Sequence, residues 1–128
     1  MKGWVGDIEA ETLRNANFRT TLFTGQQLQL TVMTLGPGEE IGRETHEDTD
    51  QFIRVEEGRA TVEIDGETHQ VEADWAVIIP AGSPHNVVNA GDGPLKLYSL
   101  YAPPEHPPNT VHTTKVEADA AEAAHHSD

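Results

Sequence analysis

Asp74-Trp-Ala-Val-Ile-Ile-Pro-Ala-Gly-Ser-Pro-His85-Asn-Val-Val-Asn89 is the stretch that decides the fold of this chain. It starts with an apolar run, which predicts a buried strand over residues 75–79. Two prolines and a glycine then predict a turn. A second strand is predicted over residues 85–88. Because the turn leads directly into that strand, we expect the side chain of His85 to enter it facing the interior.

A second stretch, Gly38-Glu-Glu-Ile-Gly-Arg-Glu44-Thr-His46-Glu-Asp-Thr-Asp-Gln51, carries polar side chains at a strand edge. Side chains alternate between the faces of a strand, so Glu44 and His46 are expected to point the same way. Asp48-Thr49-Asp50 predicts a tight turn, after which Gln51 begins the neighbouring strand and points back to that side. Together the two stretches predict one cluster of four side chains: Glu44, His46, Gln51 and His85.

The rest of the chain predicts further short strands separated by turns. Asp65-Gly66 is a two-residue signal for a tight hairpin. Many short strands with regular turns indicate an all-β sandwich or barrel in a single domain. The other predicted strands cover residues 28–35, 52–56, 59–64, 68–71 and 95–101.

Three parts of the chain are predicted from these patterns. Residues 1–24 are interpreted as N-terminal lead-in strands, and residues 25–101 as the barrel core. Residues 102–128 are interpreted as a proline-rich segment and a flexible acidic tail. The segment 102–109 contains four prolines, which cannot donate to a ladder, so we expect it to run extended over the surface. Residues 117–126 have only alanine to bury and predict a frayed helix or a disordered end.

Composition narrows the possible partners. The formal net charge is −14 and only three lysines are present, which argues against binding to nucleic acid. The chain lacks cysteine, which excludes disulfides and thiolate metal sites. It shows no signal peptide and no apolar run of the roughly 20 residues that a membrane span needs. We therefore expect an acidic, soluble, cytoplasmic protein with a small-molecule ligand.

The two polar stretches resemble the two motifs of the cupin superfamily. The first motif is Gly-x5-His-x-His-x3–4-Glu-x6-Gly, and the second is Gly-x5-Pro-x-Gly-x2-His-x3-Asn. Glu44 stands in the place of the first histidine and Gln51 in that of the glutamate, while Asp74 replaces a glycine. The positions that match the motifs are His46, Gly58, Pro80, Gly82, His85 and Asn89. The resemblance implies a double-stranded β-helix (cupin, or jelly-roll) barrel and a homodimer.

The resemblance also implies a metal site with an altered ligand set. Glu44, His46 and His85 would supply one carboxylate and two imidazoles, and Gln51 a weaker, labile fourth ligand. Two histidines and a carboxylate suit one divalent transition metal: Fe, Mn, Zn, Ni or Co. The alternative is a metal-free barrel in which Glu44 pairs with a protonated histidine and Gln51 hydrogen-bonds both histidines.

The function expected from this site is action on a small polar metabolite, an oxygenated organic acid or a sugar, at the barrel mouth. An enzyme is favoured, with dioxygenase, isomerase and lyase chemistry all open. The alternative is a non-catalytic ligand-binding or sensing module without an obligatory metal. The sequence identifies no catalytic acid or base.

Other histidines and aromatic residues are not assigned to the site. His106 and His112, in or beside the proline segment, are expected to be solvated, as are the tail histidines 125 and 126. Phe52 and Trp75 are interpreted as packing residues. Tyr98 and Tyr101 lie three apart on a strand and face opposite sides, so only one of them faces inward, and the sequence does not decide which.

Overall fold

The computed structural model describes residues 2–126, with side-chain surroundings for residues 2–123. The described chain is built mainly from antiparallel strands, which confirms the all-β prediction. Its elements are α1 (Ile8–Arg14), β1 (Arg19–Thr24), β2 (Gln29–Leu35), β3 (Asp50–Glu57), β4 (Arg59–Ile64), β5 (Glu67–Glu72), β6 (Ala76–Ile79), β7 (His85–Asn89), β8 (Leu95–Ala102), β9 (Val111–His112) and α2 (Lys115–His126).

Two antiparallel sheets form the barrel. The larger has the strand order β6-β3-β8-β2-β1-β9, and the smaller has the order β5-β4-β7. Non-consecutive neighbours in both sheets are typical of a jelly roll, which confirms the predicted double-stranded β-helix. The two sheets enclose an apolar core that includes Met33, Leu35, Ile53, Val55, Val62, Val87, Leu95 and Leu97.

Strand β8 shows how alternation in the sequence sets the barrel interior. It pairs with β2 on one side and with β3 on the other, so its inward side chains lie in the middle of the large sheet. Ser99 and Tyr101 are buried, whereas Tyr98 is partly exposed beside Phe52. Tyr101 is therefore the inward tyrosine, the point that the sequence left open.

The N-terminal lead-in differs from the predicted strands. It contains the helix α1, which begins where the side chain of Asp7 accepts a hydrogen bond from the backbone of Ala10 at 3.1 Å. A capping aspartate of this kind satisfies a backbone donor that the helix itself leaves free. Within residues 2–24, β1 is the one strand, and it pairs with β2 as part of the large sheet.

The prediction of a buried strand over residues 75–79 is wrong for part of that segment. In β6, Val77 and Ile79 are buried, but Ile78 is 67% exposed. Trp75, which was predicted to begin the buried strand, precedes β6 and is 52% exposed. The physical reason is that side chains alternate between the two faces of a strand and only one face of the large sheet is turned toward the core, so alternate residues of β6 are buried.

The C-terminal segment forms a helix, α2, where a frayed or disordered end was predicted. Ala118 is 4% exposed and belongs to the core cluster, so a small side chain was sufficient to dock the helix. Lys115 and Asp119 form an ion pair one turn apart at 2.7 Å. Residues 127 and 128 of the predicted tail lie outside the described residues. Neither α1 nor α2 is long and apolar enough to cross a membrane.

The backbone conformation explains the residue types at two motif positions, 58 and 74. Asp74, which replaces a motif glycine, has φ 76°, and Gly58 has φ 93°. Both lie in the left-handed region, which glycine enters freely and aspartate tolerates better than most residues. A Cβ atom at position 58 would lie 2.6 Å from the carbonyl oxygen of Pro94. Gly58 is therefore required both for its backbone conformation and for a close approach between chain segments.

We expect Gly58→Ala to lower the free energy of unfolding by at least about 2 kcal/mol, from the left-handed backbone penalty and the displaced backbone of Pro94. The matched control is Gly66→Ala, since Gly66 has φ 83° with no atom within 4 Å of a Cβ. That variant should lose only about 1–2 kcal/mol, the backbone penalty alone. Urea denaturation of both variants measures the difference, and equal losses would contradict the close-approach argument.

Candidate metal centre

Backbone pairing joins the two polar segments. The amide of Glu44 donates to the carbonyl of His85, and the amide of His85 donates to the carbonyl of Glu44, each at 2.9 Å. This isolated bridge places Glu44 directly beside the start of β7. The sequence predicted that Glu44 lies in a strand, whereas the structure gives it only this isolated bridge. Its side chain still reaches the predicted cluster. The amide of Gly82 also donates to the carbonyl of His46 at 2.8 Å, which ties the two segments together a second time.

The side chains of Glu44, His46 and His85 converge at the barrel mouth. One ligand atom from each lies within 4.8 Å of the others, a spacing that could hold a metal ion. The ring centroids of the two histidines are 5.2 Å apart, and Nε2 of His46 lies 3.9 Å from Oε2 of Glu44. Both histidines are buried, whereas Glu44 is partly exposed.

The ring nitrogens of both histidines favour metal binding at Nε2. Nδ1 of His85 lies 2.9 Å from the carbonyl oxygen of Ser83, and Nδ1 of His46 lies 3.0 Å from Oε1 of Glu105. Oxygen acceptors at Nδ1 place the proton there and leave the Nε2 lone pair free. Nε2 of His85 is buried and has no hydrogen-bond partner among the described residues. The residues present therefore fit a divalent metal ion.

Gln51 faces the barrel interior, as its position after the turn predicted. It is 4% exposed, and its Nε2 donates to Oγ of Ser99 at 3.3 Å. Its Oε1 is buried without a partner in the described part of the chain. The metal-free alternative expected Gln51 to hydrogen-bond both histidines, and its amide bonds Ser99 instead. Its role as a fourth ligand stays a prediction.

The pKa values of the cluster follow from burial and charge. Burial raises the pKa of Glu44, against the charge of His46. Burial alone would lower the pKa of His46, but the hydrogen bond with Glu105 and the charge of Glu44 together raise it. Burial lowers the pKa of His85. Because metal binding requires deprotonated ligands, binding of a cation to this cluster would compete with protonation of Glu44 and His46.

The sequence did not single out Glu105, which lies in the proline segment. That segment was predicted to run extended over the surface, but Gln29 holds it against the barrel. Oε1 of the buried Gln29 accepts from the amides of Glu105 and His106 at 3.1 and 2.9 Å, and its Nε2 donates to the carbonyl of His106 at 2.8 Å. The prediction that His106 is solvated is wrong, because this anchoring leaves it only 9% exposed.

A cavity of about 380 Å³ opens beside the cluster and is partly covered by α2. Its lining is mostly polar and carries both signs of charge. Asp50 is not among the lining residues, and its side chain accepts from the amide of Ala81 at 2.8 Å, so it shapes a turn. The lining residues are Ile41, Gly42, Arg43, Glu44, Thr45, His46, Glu105, Lys115, Asp119 and Glu122.

Comparison with known proteins identifies relatives over nearly the whole chain. A family model described as a cupin domain matches residues 31–101. The uncharacterized protein YrkC of Bacillus subtilis is 50% identical over 127 residues, 94% of this chain and 68% of that protein. The polyketide synthase protein CurC of Streptomyces cyaneus is 32% identical and covers 84% of this chain and 73% of its own length. The crystal structure of BH2720 from Bacillus halodurans has a TM-score of 0.91 and 50% identity, covering 93% of this chain and 95% of that one.

Proposed function

The chain belongs to the cupin family, and from that premise we propose that it is a divalent-metal-dependent enzyme acting on a small, oxygen-bearing metabolite at the barrel mouth. One observation carries the proposal. Glu44, His46 and His85 bring three ligand atoms within 4.8 Å of one another, next to a cavity large enough for a small metabolite.

The three side chains form a ligand set with open positions. Two neutral imidazoles and one carboxylate leave a divalent ion one net positive charge and fewer protein ligands than transition metals usually take. When bound, the metal would supply Lewis-acid or oxygen-activating chemistry. Burial lowers the pKa of His85 and so favours its neutral, metal-binding form. The protein's own contribution is to hold these donors in place and to limit the access of water from one side.

The lining of the cavity supports an oxygen-bearing ligand. Arg43 and Lys115 offer cationic donors, while Glu105 and Glu122 offer carboxylate acceptors. Hydroxyl and carboxyl groups of an organic acid or a sugar can pair with such a mixed surface. Two relatives carry names of polyketide synthase proteins, and polyketides are carbon chains rich in oxygen, which agrees with this ligand class.

The experiment that tests the proposal counts exchangeable water on the bound ion. We would load the purified protein with Mn²⁺ and measure the relaxation rate of water protons, which is enhanced by water bound to the metal. We expect a strong enhancement that falls when a hydroxy acid or a sugar from a small panel is added. Protein with bound Mn²⁺ but no water on it would have a closed site and would favour a binding module. No binding of Mn²⁺, Fe²⁺, Co²⁺, Ni²⁺ or Zn²⁺ would overturn the proposal.

We expect Gln51→Ala to weaken metal binding by only ~10-fold, because a neutral amide oxygen is a weak ligand and tenfold corresponds to about 1.4 kcal/mol. Ser99→Ala is the matched control, since Ser99 is buried next to Gln51 and accepts its amide hydrogen bond at 3.3 Å. That variant should leave the affinity within about twofold. Competition titration with a chelating dye measures both. An unchanged affinity in Gln51→Ala would remove Gln51 from the ligand set.

A further inference from the structure

The two histidines of the metal centre are held by different partners. Nδ1 of His85 faces the backbone carbonyl of Ser83, which is neutral and only two residues away. Nδ1 of His46 faces the carboxylate of Glu105, which is 3.0 Å away and lies in the segment between β8 and β9. Only His46 therefore has a charged partner behind its ring, and that partner lies outside both motif segments.

Glu105 is anchored independently of His46. Its amide donates to Oε1 of Gln29, a side chain that is fully buried inside the barrel. Because Gln29 belongs to β2, the barrel holds the backbone of Glu105 in place without any contribution from His46. A preorganised acceptor of this kind determines the proton position on a neighbouring ring.

His46 has two tautomers that would place its proton differently. With the proton on Nδ1, it donates to Glu105 at 3.0 Å, a normal hydrogen-bond distance. With the proton on Nε2, it would face Oε2 of Glu44 at 3.9 Å, which is too long for a hydrogen bond. The first tautomer is therefore favoured, and it leaves the Nε2 lone pair directed at the position shared with Glu44 and His85.

We propose that Glu105 is a positioning residue that holds His46 in the Nδ1–H tautomer and so presents its Nε2 to the metal. The part that concerns metal affinity rests on the proposed function, whereas the tautomer is a property of the metal-free protein. A carboxylate behind a ligand histidine also increases the basicity of the ring. Loss of such a partner weakens metal binding by roughly 10–100-fold.

The test compares Glu105→Ala and Glu105→Gln with the wild type. The glutamine variant keeps an oxygen that accepts from Nδ1 and removes the charge, whereas the alanine variant removes the acceptor. The matched control is Asp119→Asn, which removes a carboxylate from the same cavity, where Asp119 pairs with Lys115. Long-range ¹H–¹⁵N correlation spectra of metal-free protein at alkaline pH report the tautomer of His46, and dye competition reports metal affinity.

We expect the Nδ1–H tautomer in the wild type, in Asp119→Asn and in Glu105→Gln, and a shift toward Nε2–H in Glu105→Ala. Metal affinity should fall by roughly 10–100-fold in Glu105→Ala, less in Glu105→Gln and not in the control. An unchanged tautomer and affinity in Glu105→Ala would overturn the proposal. If Glu105→Ala fails to fold, a wild-type protein with the His46 proton on Nε2 overturns the proposal equally.

These readouts separate the two claims. A tautomer shift in Glu105→Ala, in a protein whose wild type binds no transition metal, would support the positioning role and refute the proposed function. Tight metal binding that is equal in wild type and Glu105→Ala, with the same tautomer, would support the proposed function and refute the role of Glu105.

Discussion

His85→Ala is expected to weaken metal binding by more than ~100-fold, the loss of about 2.7 kcal/mol or more. His85 supplies a buried Nε2 that has no hydrogen-bond partner among residues 2–123, and among those residues the cluster has two other ionisable ligands, Glu44 and His46. His46→Ala should have a similar effect, because each imidazole is one of three strong donors. The measurement is the metal content of the purified protein together with dye-competition affinity.

The loss of metal binding should also lower the thermal stability of the protein. Metal at about 100 times its dissociation constant stabilises a folded protein by about 2.7 kcal/mol. For a chain of this size we expect a chelator to lower the Tm of the wild type by on the order of 10 °C. His85→Ala should show almost no response to chelator. The control is His69→Ala, since His69 lies in the exposed hairpin, and its melting should respond like that of the wild type.

Either of two results would contradict this prediction. Equal melting of the wild type with and without chelator would show that no metal contributes to the folded state. Full metal content in both His46→Ala and His85→Ala would place the metal elsewhere in the chain. A reduced content in only one of them would show that the two histidines contribute unequally.

The second large effect is a loss of stability in acid caused by His106. Burial, reinforced by the charge of Arg19, lowers the pKa of His106 to about 3. The ring lies edge-on to Tyr101 with centroids 5.1 Å apart, and its Nε2 is buried without a partner in the described chain. In the unfolded chain the ring of His106 binds a proton near pH 6.5, whereas in the folded protein it binds one only near pH 3.

The direction in which stability changes with pH follows from the number of protons that each state binds. Because the unfolded state holds more protons between the two pKa values, stability falls as the pH drops from 6.5 toward 3. Between pH 6.5 and about 4.5, His106 alone should lower the free energy of unfolding by about 2 kcal/mol. His106→Gln should remove this part of the pH dependence, even if it lowers stability at neutral pH.

Urea denaturation in the presence of a chelator, at several pH values, measures the slope for the wild type and for His106→Gln. His69→Gln is the matched control, because His69 is exposed and its removal should leave the slope unchanged. Nuclear magnetic resonance titration of His106 gives a direct check. A pKa near 6.5 for its ring, or parallel slopes in wild type and His106→Gln, would contradict the prediction.

The sequence by itself determined the all-β fold and predicted the cluster of three residues at the candidate site. Alternation along β8 and the hairpin signal at Asp65-Gly66 depend on neighbouring residues, so they can be recognised in the chain alone. The turn before Gln51 likewise predicted its inward side. The positions of Glu44, His46 and His85 followed from the spacing within two short segments.

Only the tertiary structure decided which residues surround that site. Glu105 reaches His46, Gln29 anchors His106 from 77 residues away, and Ala118 docks α2 on the core. These contacts join residues that are far apart in the chain, and none of them leaves a periodic pattern. Proline content predicted an exposed segment and alanine content a frayed helix, because composition reports local preference. The free energy of packing against the barrel outweighed that local preference. The buried amide of Gln29 holds the proline segment in place, and the small side chain of Ala118 packs α2 against the core.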